Sequence, residues 1–221
     1  QATKRLLTVY DEHLKHEYKD VKMLGVFTVA GAAWAGTKDL STMAGLKGAK
    51  LVPYAAMTSP IIEALGAVPV QMPVTEMYTG ISTGTVDSVT AAYSNIPAPW
   101  NFWDVSKHVA DNVPVQFAVF FVAMNKERYL GLSDAHRKII DDIAGELFSL
   151  KGAESFHNTE MKAYGLMKSS PKMGKVKVTV VNDAERAKMD AAVKQGLEVI
   201  FKDMEKRGIK DARAIYTKIN K

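Results

Sequence analysis

Residues 59–90 read SPIIEALGAVPVQMPVTEMYTGISTGTVDSVT, and their hydrophobic period changes from one segment to the next. Thr58 or Ser59 is placed to cap a helix that begins at Pro60, buries Ile61, Ile62 and Leu65, and stops at Gly66. Residues 68–72 then read as a strand, Thr75 and Glu76 open a second helix that ends near Gly84, and 86–90 form another strand. With the short apolar segment 49–53 before it, this alternation with short loops predicts an α/β layer on a largely parallel sheet.

Working outward, residues 3–18 place Leu6, Leu7, Tyr10 and Leu14 at helical spacing, and 21–29 read as a strand. GAAWAG at 31–36 reads as a small-residue loop around Trp34, and 39–47 as a connector with one helical turn. PAPWNFW at 97–103 is a loop with aromatic anchors, since its prolines disfavour helix and central strand. The near-continuous apolar run 115–124 predicts a strand covered on both faces. Ser133 caps one long helix extending toward Met167, 175–181 alternates as a strand, and Asp183 caps a last long helix that Gly208 ends. Residues 211–219 add a terminal helical turn or two.

The chain has 221 residues, 47% apolar and 24% charged, with no cysteine and a net charge of +5. Disulfides, thiolate nucleophiles and cysteine-ligated zinc are excluded. Basic residues are interleaved with acids, as in DEHLKHEYKD and FKDMEKRGIKD, so no nucleic-acid partner is expected. No apolar run reaches the roughly 18 residues of a membrane span, and the chain is not expected to be membrane-embedded. A signal peptide is absent from this sequence and is taken as removed.

Three patterns invite enzymatic or metal readings. Gly80-Ile81-Ser82-Thr83-Gly84 fits G-x-S-x-G, but that elbow needs a strand before it and a helix after it, the reverse of the order here. His13 and His16 beside Glu17 are too few for a metal site and read as solvated helix residues. GAAWAG lacks the Walker lysine and the dinucleotide spacing, so no phosphate cofactor is expected. No cofactor, metal or catalytic residue is assigned. What stands out is a set of aromatics and methionines near strand ends, where open α/β sheets bind ligands.

The series D-L-x(5)-LKG-x-K-L from Asp39, followed by EALGAVPVQMPVTEMYTGISTGTVD, resembles the central signature of substrate-binding proteins of tripartite ATP-independent periplasmic (TRAP) transporters. Leu46-Lys47-Gly48, Ala64-Leu65-Gly66-Ala67, Met72-Pro73, Glu76-Met77-Tyr78 and Val86-Asp87-Ser88 carry the likeness, which continues through VFFVAMNKERYLGLSDAHRKII and Met204 to Ile209. The resemblance implies a periplasmic binding protein fold of two α/β lobes with a hinge and long C-terminal helices, whose N-terminal part is absent from this sequence. It implies a periplasmic location and a partner permease with integral-membrane subunits. The expected organisation is 1–50 as the remainder of the first lobe and hinge loop, 51–120 as the second lobe, and 121–221 as crossover strand, spanning helix and C-terminal helices.

Family members often hold a ligand carboxylate with an arginine two residues after LKG-x-K. That position is Val52, and a second arginine position falls near Ala32. A Trp-Glu pair of metal-coordinating relatives aligns with Tyr93 and Ser94, an asparagine of others with Ala91, and a polar strand position with Phe117. The candidate ligand-binding residues are therefore Trp34, Val52, Tyr54, Met72, Val74, Ala91, Tyr93, Asn95, Trp100 and Phe117. They imply a small aromatic or largely apolar molecule with one polar end at Tyr54, Tyr93 or Asn95. Three other readings stay open: an organic-acid binder drawing charge from the absent N-terminal part, a sensor for a membrane signalling partner, and a hydrolase using Ser82.

Overall fold

A computed structural model describes residues 1–114 and 117–220. The chain divides into two compact units, the first made of 1–29, 117–158 and 209–221 and the second of 30–116 and 159–208.

In the first unit, helix α1 (Ala2–Val9) runs into a π-turn (Tyr10–Leu14), and β1 (Val21–Ala30) pairs with β7 (Phe117–Asn125). Two short helices follow, α5 (Lys126–Leu130) and α6 (Asp134–Ile143), then α7 (Glu146–Ser169), and α9 (Ala212–Asn220) packs on α1. The single helix expected from Ser133 is thus two. Gly145 adopts φ +81° and donates its N–H to the Leu24 carbonyl, so the chain turns where only glycine turns without strain. Ser149 then binds β1 directly, accepting from the Val26 N–H at 3.0 Å.

The strand expected at 115–124 begins, within the described residues, at Phe117. It is not covered on both faces, because Val119 and Phe121 are 57% and 54% exposed. The sheet here has two strands among the described residues, and a long apolar run does not reveal how many neighbours it has. Phe120 stacks on Phe27 and Phe156, with centroids 6.1 and 5.4 Å away.

The second unit is built on a six-stranded sheet in the order β4-β3-β5-β2-β6-β8. Its strands are β2 (Ala32–Gly36), β3 (Lys50–Val52), β4 (Val68–Pro69), β5 (Ser88–Ala92), β6 (His108–Asp111) and β8 (Lys177–Val180). Strand β3 runs parallel to β4 and β5, and β6 parallel to β8, while β2 is antiparallel to both of its neighbours. The sheet is therefore mixed, where a largely parallel one was expected. The difference lies in the segment 31–36, expected as a loop, of which 32–36 form a central strand: every residue of β2 and β5 is buried.

Alternation along β2 separates two cores. Ala33 and Ala35 face a cluster with Val52, Ile81, Val89, Phe102 and Met167. Trp34 faces the opposite one, with Leu46, Leu51, Ile62, Leu65 and Met189. Helices α3 (Ser59–Ala64) and α8 (Asp183–Lys206) cover that second face. They approach so closely that a Cβ at Gly196 would lie 2.6 Å from the Ile61 Cα. Asn182, not Asp183, caps α8, its side chain accepting from the Glu185 N–H. A four-residue helix α2 (Met43–Leu46) is capped by Thr42, and α4 (Val74–Ser82) completes the unit.

The Val86-Asp87-Ser88 turn ties three strands at one end of the sheet. The Asp87 carboxylate accepts from the Lys50 N–H at 2.8 Å and the Lys38 ammonium at 3.0 Å, while its carbonyl accepts from the Thr37 N–H. Burial alone would raise this carboxyl, but those donors hold it net below the ordinary carboxylate value. A depressed native pKa gives stability that is present above the unfolded value and lost as pH falls through the native one. Asp87→Asn is expected to cost roughly 1–3 kcal/mol at neutral pH. It should also lose less stability than wild type between pH 5 and pH 3 in urea unfolding; equal losses would contradict the assignment.

Candidate functional site

Because β3 and β5 are parallel, their carboxyl ends emerge on the same side of the sheet. A cavity of about 190 Å³ opens there, lined by Pro53, Tyr54, Val74, Met77, Thr90, Ala91, Asn95 and Phe102. Pro53 and Tyr54 follow β3 directly, Thr90 and Ala91 belong to β5, and Asn95 lies in the 3₁₀ turn Tyr93–Asn95 just beyond it. Val74 and Met77 come from the first turn of α4, one helical turn apart and so on one face. Phe102 begins the 3₁₀ turn Phe102–Asp104, which follows Asn101 at φ +52°.

None of these lining side chains carries a charge. Five are apolar, and the polar groups are the Tyr54 hydroxyl, the Thr90 hydroxyl and the Asn95 amide. Burial, and then the charge of Glu160, push the Tyr54 hydroxyl above its ordinary value, so it stays protonated at neutral pH. The Thr90 hydroxyl is buried without a hydrogen-bond partner.

The wall behind Asn95 is held by two buried carboxylates. Asp111, 4% exposed, accepts from the Tyr93 hydroxyl at 2.5 Å, the Tyr164 hydroxyl at 2.8 Å and the Asn112 N–H at 2.6 Å. Glu160, 1% exposed, accepts from both the Ser94 N–H, at 3.2 Å, and the Ser94 hydroxyl. Burial first, and then the bond to Asp111, drive the Tyr93 hydroxyl far up, so Tyr93 is a fixed donor. Its ring lies 4.9 Å from that of Tyr164, and Lys168 stands 4.2 Å over the Tyr164 ring.

Of the residues expected from sequence, Tyr54, Val74, Ala91 and Asn95 meet at this cavity. Val52 and Tyr93 are buried in the core face behind it, and Met72 and Trp100 pack against that face. Trp34 is 1% exposed on the opposite face. Phe117 lies in β7 of the other unit, and its side chain is outside the described residues. Pro53, Met77, Thr90 and Phe102 were not singled out as ligand residues. Met77 was legible as the helical partner of Val74, and Pro53 and Thr90 as chain neighbours of Tyr54 and Ala91.

Ser82 ends α4, and its hydroxyl donates to the Thr79 carbonyl at 2.9 Å. The chain thus passes from helix through this serine toward strand, opposite to a nucleophile elbow. His13 pairs with Asp211 at 2.9 Å, and no group of three potential metal ligands occurs among the described residues. A larger cavity of about 880 Å³ lies in the first unit, and it is lined by lysines and acids, some of them paired with each other, as in Lys22 to Asp141 at 2.5 Å and Lys4 to Glu146 at 3.3 Å.

The uncharged cavity lies at strand ends, the place where open α/β sheets commonly hold small molecules. Residues 7–204 match the family described as bacterial extracellular solute-binding protein, family 7 (DctP), and the chain belongs to that family. It is 26% identical over 217 residues to the Outer membrane transporter protein TsaT of Comamonas testosteroni, a match covering 95% of this chain and 62% of that relative. The chain therefore spans less than two thirds of that relative's length. A marine metagenome TRAP solute-binding protein specific for aromatic acid ligands, from an unidentified microbe and solved with metahydroxyphenylacetate, superimposes with TM-score 0.87 at 24% identity. That match covers 99% of this chain and 69% of the other. A TRAP solute-binding protein from Rhodoferax ferrireducens, solved with copurified benzoate, gives TM-score 0.85 at 22% identity, covering 99% and 67%. No helix among the described residues is long and apolar enough to cross a membrane.

Tyr93→Phe should leave Asp111 short of a donor and lower the unfolding free energy by about 1–3 kcal/mol. Guanidinium unfolding measures this; an unchanged midpoint would show that the Tyr93 hydroxyl does not anchor the wall.

Proposed function

We propose that the chain is the solute-recognising part of a TRAP-type uptake system and that its solute is a small aromatic or otherwise largely apolar molecule with one polar group. The observation that carries this reading is the cavity lining, five apolar side chains and three neutral polar ones. A charged ligand group buried there would lack a counter-ion, which is costly. About 190 Å³ also suits one ring, since an apolar cavity of about 150 Å³ takes up benzene.

Val52 supports the same reading, because the position that carries a carboxylate-binding arginine in relatives of the TRAP type is here a core valine, 1% exposed. The two solved neighbours bind an aromatic acid and benzoate respectively. We further propose that Tyr54, Val74, Ala91 and Asn95, with Met77 and Phe102, contact the solute, and that the loaded protein delivers it to an integral-membrane permease.

Isothermal titration of the purified protein with benzoate, 3-hydroxybenzoate and aliphatic dicarboxylates such as succinate tests the solute class. Binding of the aromatics at least about tenfold tighter than of succinate is expected, a difference of about 1.4 kcal/mol. Tight succinate binding with no response to aromatics would overturn the proposal.

A further inference from the structure

We infer that the Tyr54 and Asn95 corner of the cavity is a specificity subsite for a neutral hydrogen-bonding substituent, a ring hydroxyl above all, and that it turns away the carboxylate of an aromatic acid. The inference rests on the aromatic-solute reading and deepens it.

The geometry starts behind the wall. Glu160 holds both the N–H and the hydroxyl of Ser94, the residue before Asn95, and so fixes the 3₁₀ turn that presents Asn95 to the cavity. Asp111 fixes the same turn from Tyr93. Two buried carboxylates thus stand behind this corner, both bonded to the turn that carries Asn95. The hydrogen bonds described for Glu160 come from neutral donors, and of the cations around Asp111, Lys168 is exposed and stands over the Tyr164 ring while Arg186 is engaged by the carbonyl and side-chain oxygens of Asn112. A ligand carboxylate brought into the corner would find no cation in the lining and would stand before two buried acids already engaged by other donors, in a partly dry setting where charge is weakly screened.

A hydroxyl suits the corner instead. The Tyr54 phenol stays protonated and donates, while the Asn95 amide offers both a donor and an acceptor. A ring hydroxyl needs one of each, and a carboxylate has nothing to give the amide oxygen. The acid group of a hydroxylated aromatic acid would then point out of this cavity, with its ring against Phe102 and Met77.

The test is a ratio. Titration calorimetry of wild type should find 3-hydroxybenzoate binding about tenfold tighter than benzoate, the size expected of a good neutral hydrogen bond in a dry site. In Tyr54→Phe, and separately in Asn95→Ala, that ratio should fall to about twofold or less, with thermal unfolding confirming that each variant is folded. Equal affinities in wild type, or a ratio that survives both substitutions, would overturn the inference while leaving the aromatic reading intact. If neither aromatic binds wild type, the aromatic reading fails and the inference fails with it.

Discussion

The second unit depends on one constraint, the burial of the central strands of its sheet from both sides. Every residue of β2 and β5 is inaccessible, with α3 and α8 closing one face and a core through Ile81, Phe102 and Met167 filling the other. Strands so covered have no face to offer a solute. What remains open is the edge where β3 and β5 end and the chain departs for α4 and the 93–95 turn, and that is where the uncharged cavity lies. Site and fold therefore have the same cause.

The cost of that arrangement falls on polar groups. Asp111 and Glu160 are buried carboxylates, tolerable because three donors converge on the first and two on the second. In return they convert a short irregular turn into a fixed wall. A turn held only by apolar contacts could re-pack around many shapes; hydrogen bonds to buried acceptors are directional and leave Asn95 one position.

How much of this was legible follows from which signals are local. Alternation of strand and helix over 49–90 showed the α/β character, since each segment bears its own period. Residues 31–36 misled because alanine and glycine have no strand preference; β2 exists because β5 and β6 pair with it on either side, which is information held elsewhere in the chain. The short HVAD strand β6 went unread for the same reason. The break at Gly145 has a local cause, yet within a strongly apolar helical pattern one glycine is ambiguous between a tolerated residue and a stop. Half of the cavity was readable because Tyr54, Ala91 and Asn95 sit at strand ends. Trp34 was not separable from that set, because its aromatic character is the same whichever face of the sheet it takes.

Val52 brings these points together. It is 1% exposed and packed in the cluster that holds Ile81, Val86 and Val89. An arginine there would need a route for its guanidinium past those side chains or a carboxylate to meet it, and the carboxylates behind the wall are already engaged by tyrosine and serine donors. A valine at the position where the resemblance sets an arginine thus fits its surroundings. It is consistent with a lining that has no charged side chain and with acids turned inward to hold backbone, serine and tyrosine donors. On the proposed reading such a cavity would discriminate by shape and by the count of donors and acceptors, and building a carboxylate clamp into it would require several of these positions to change together.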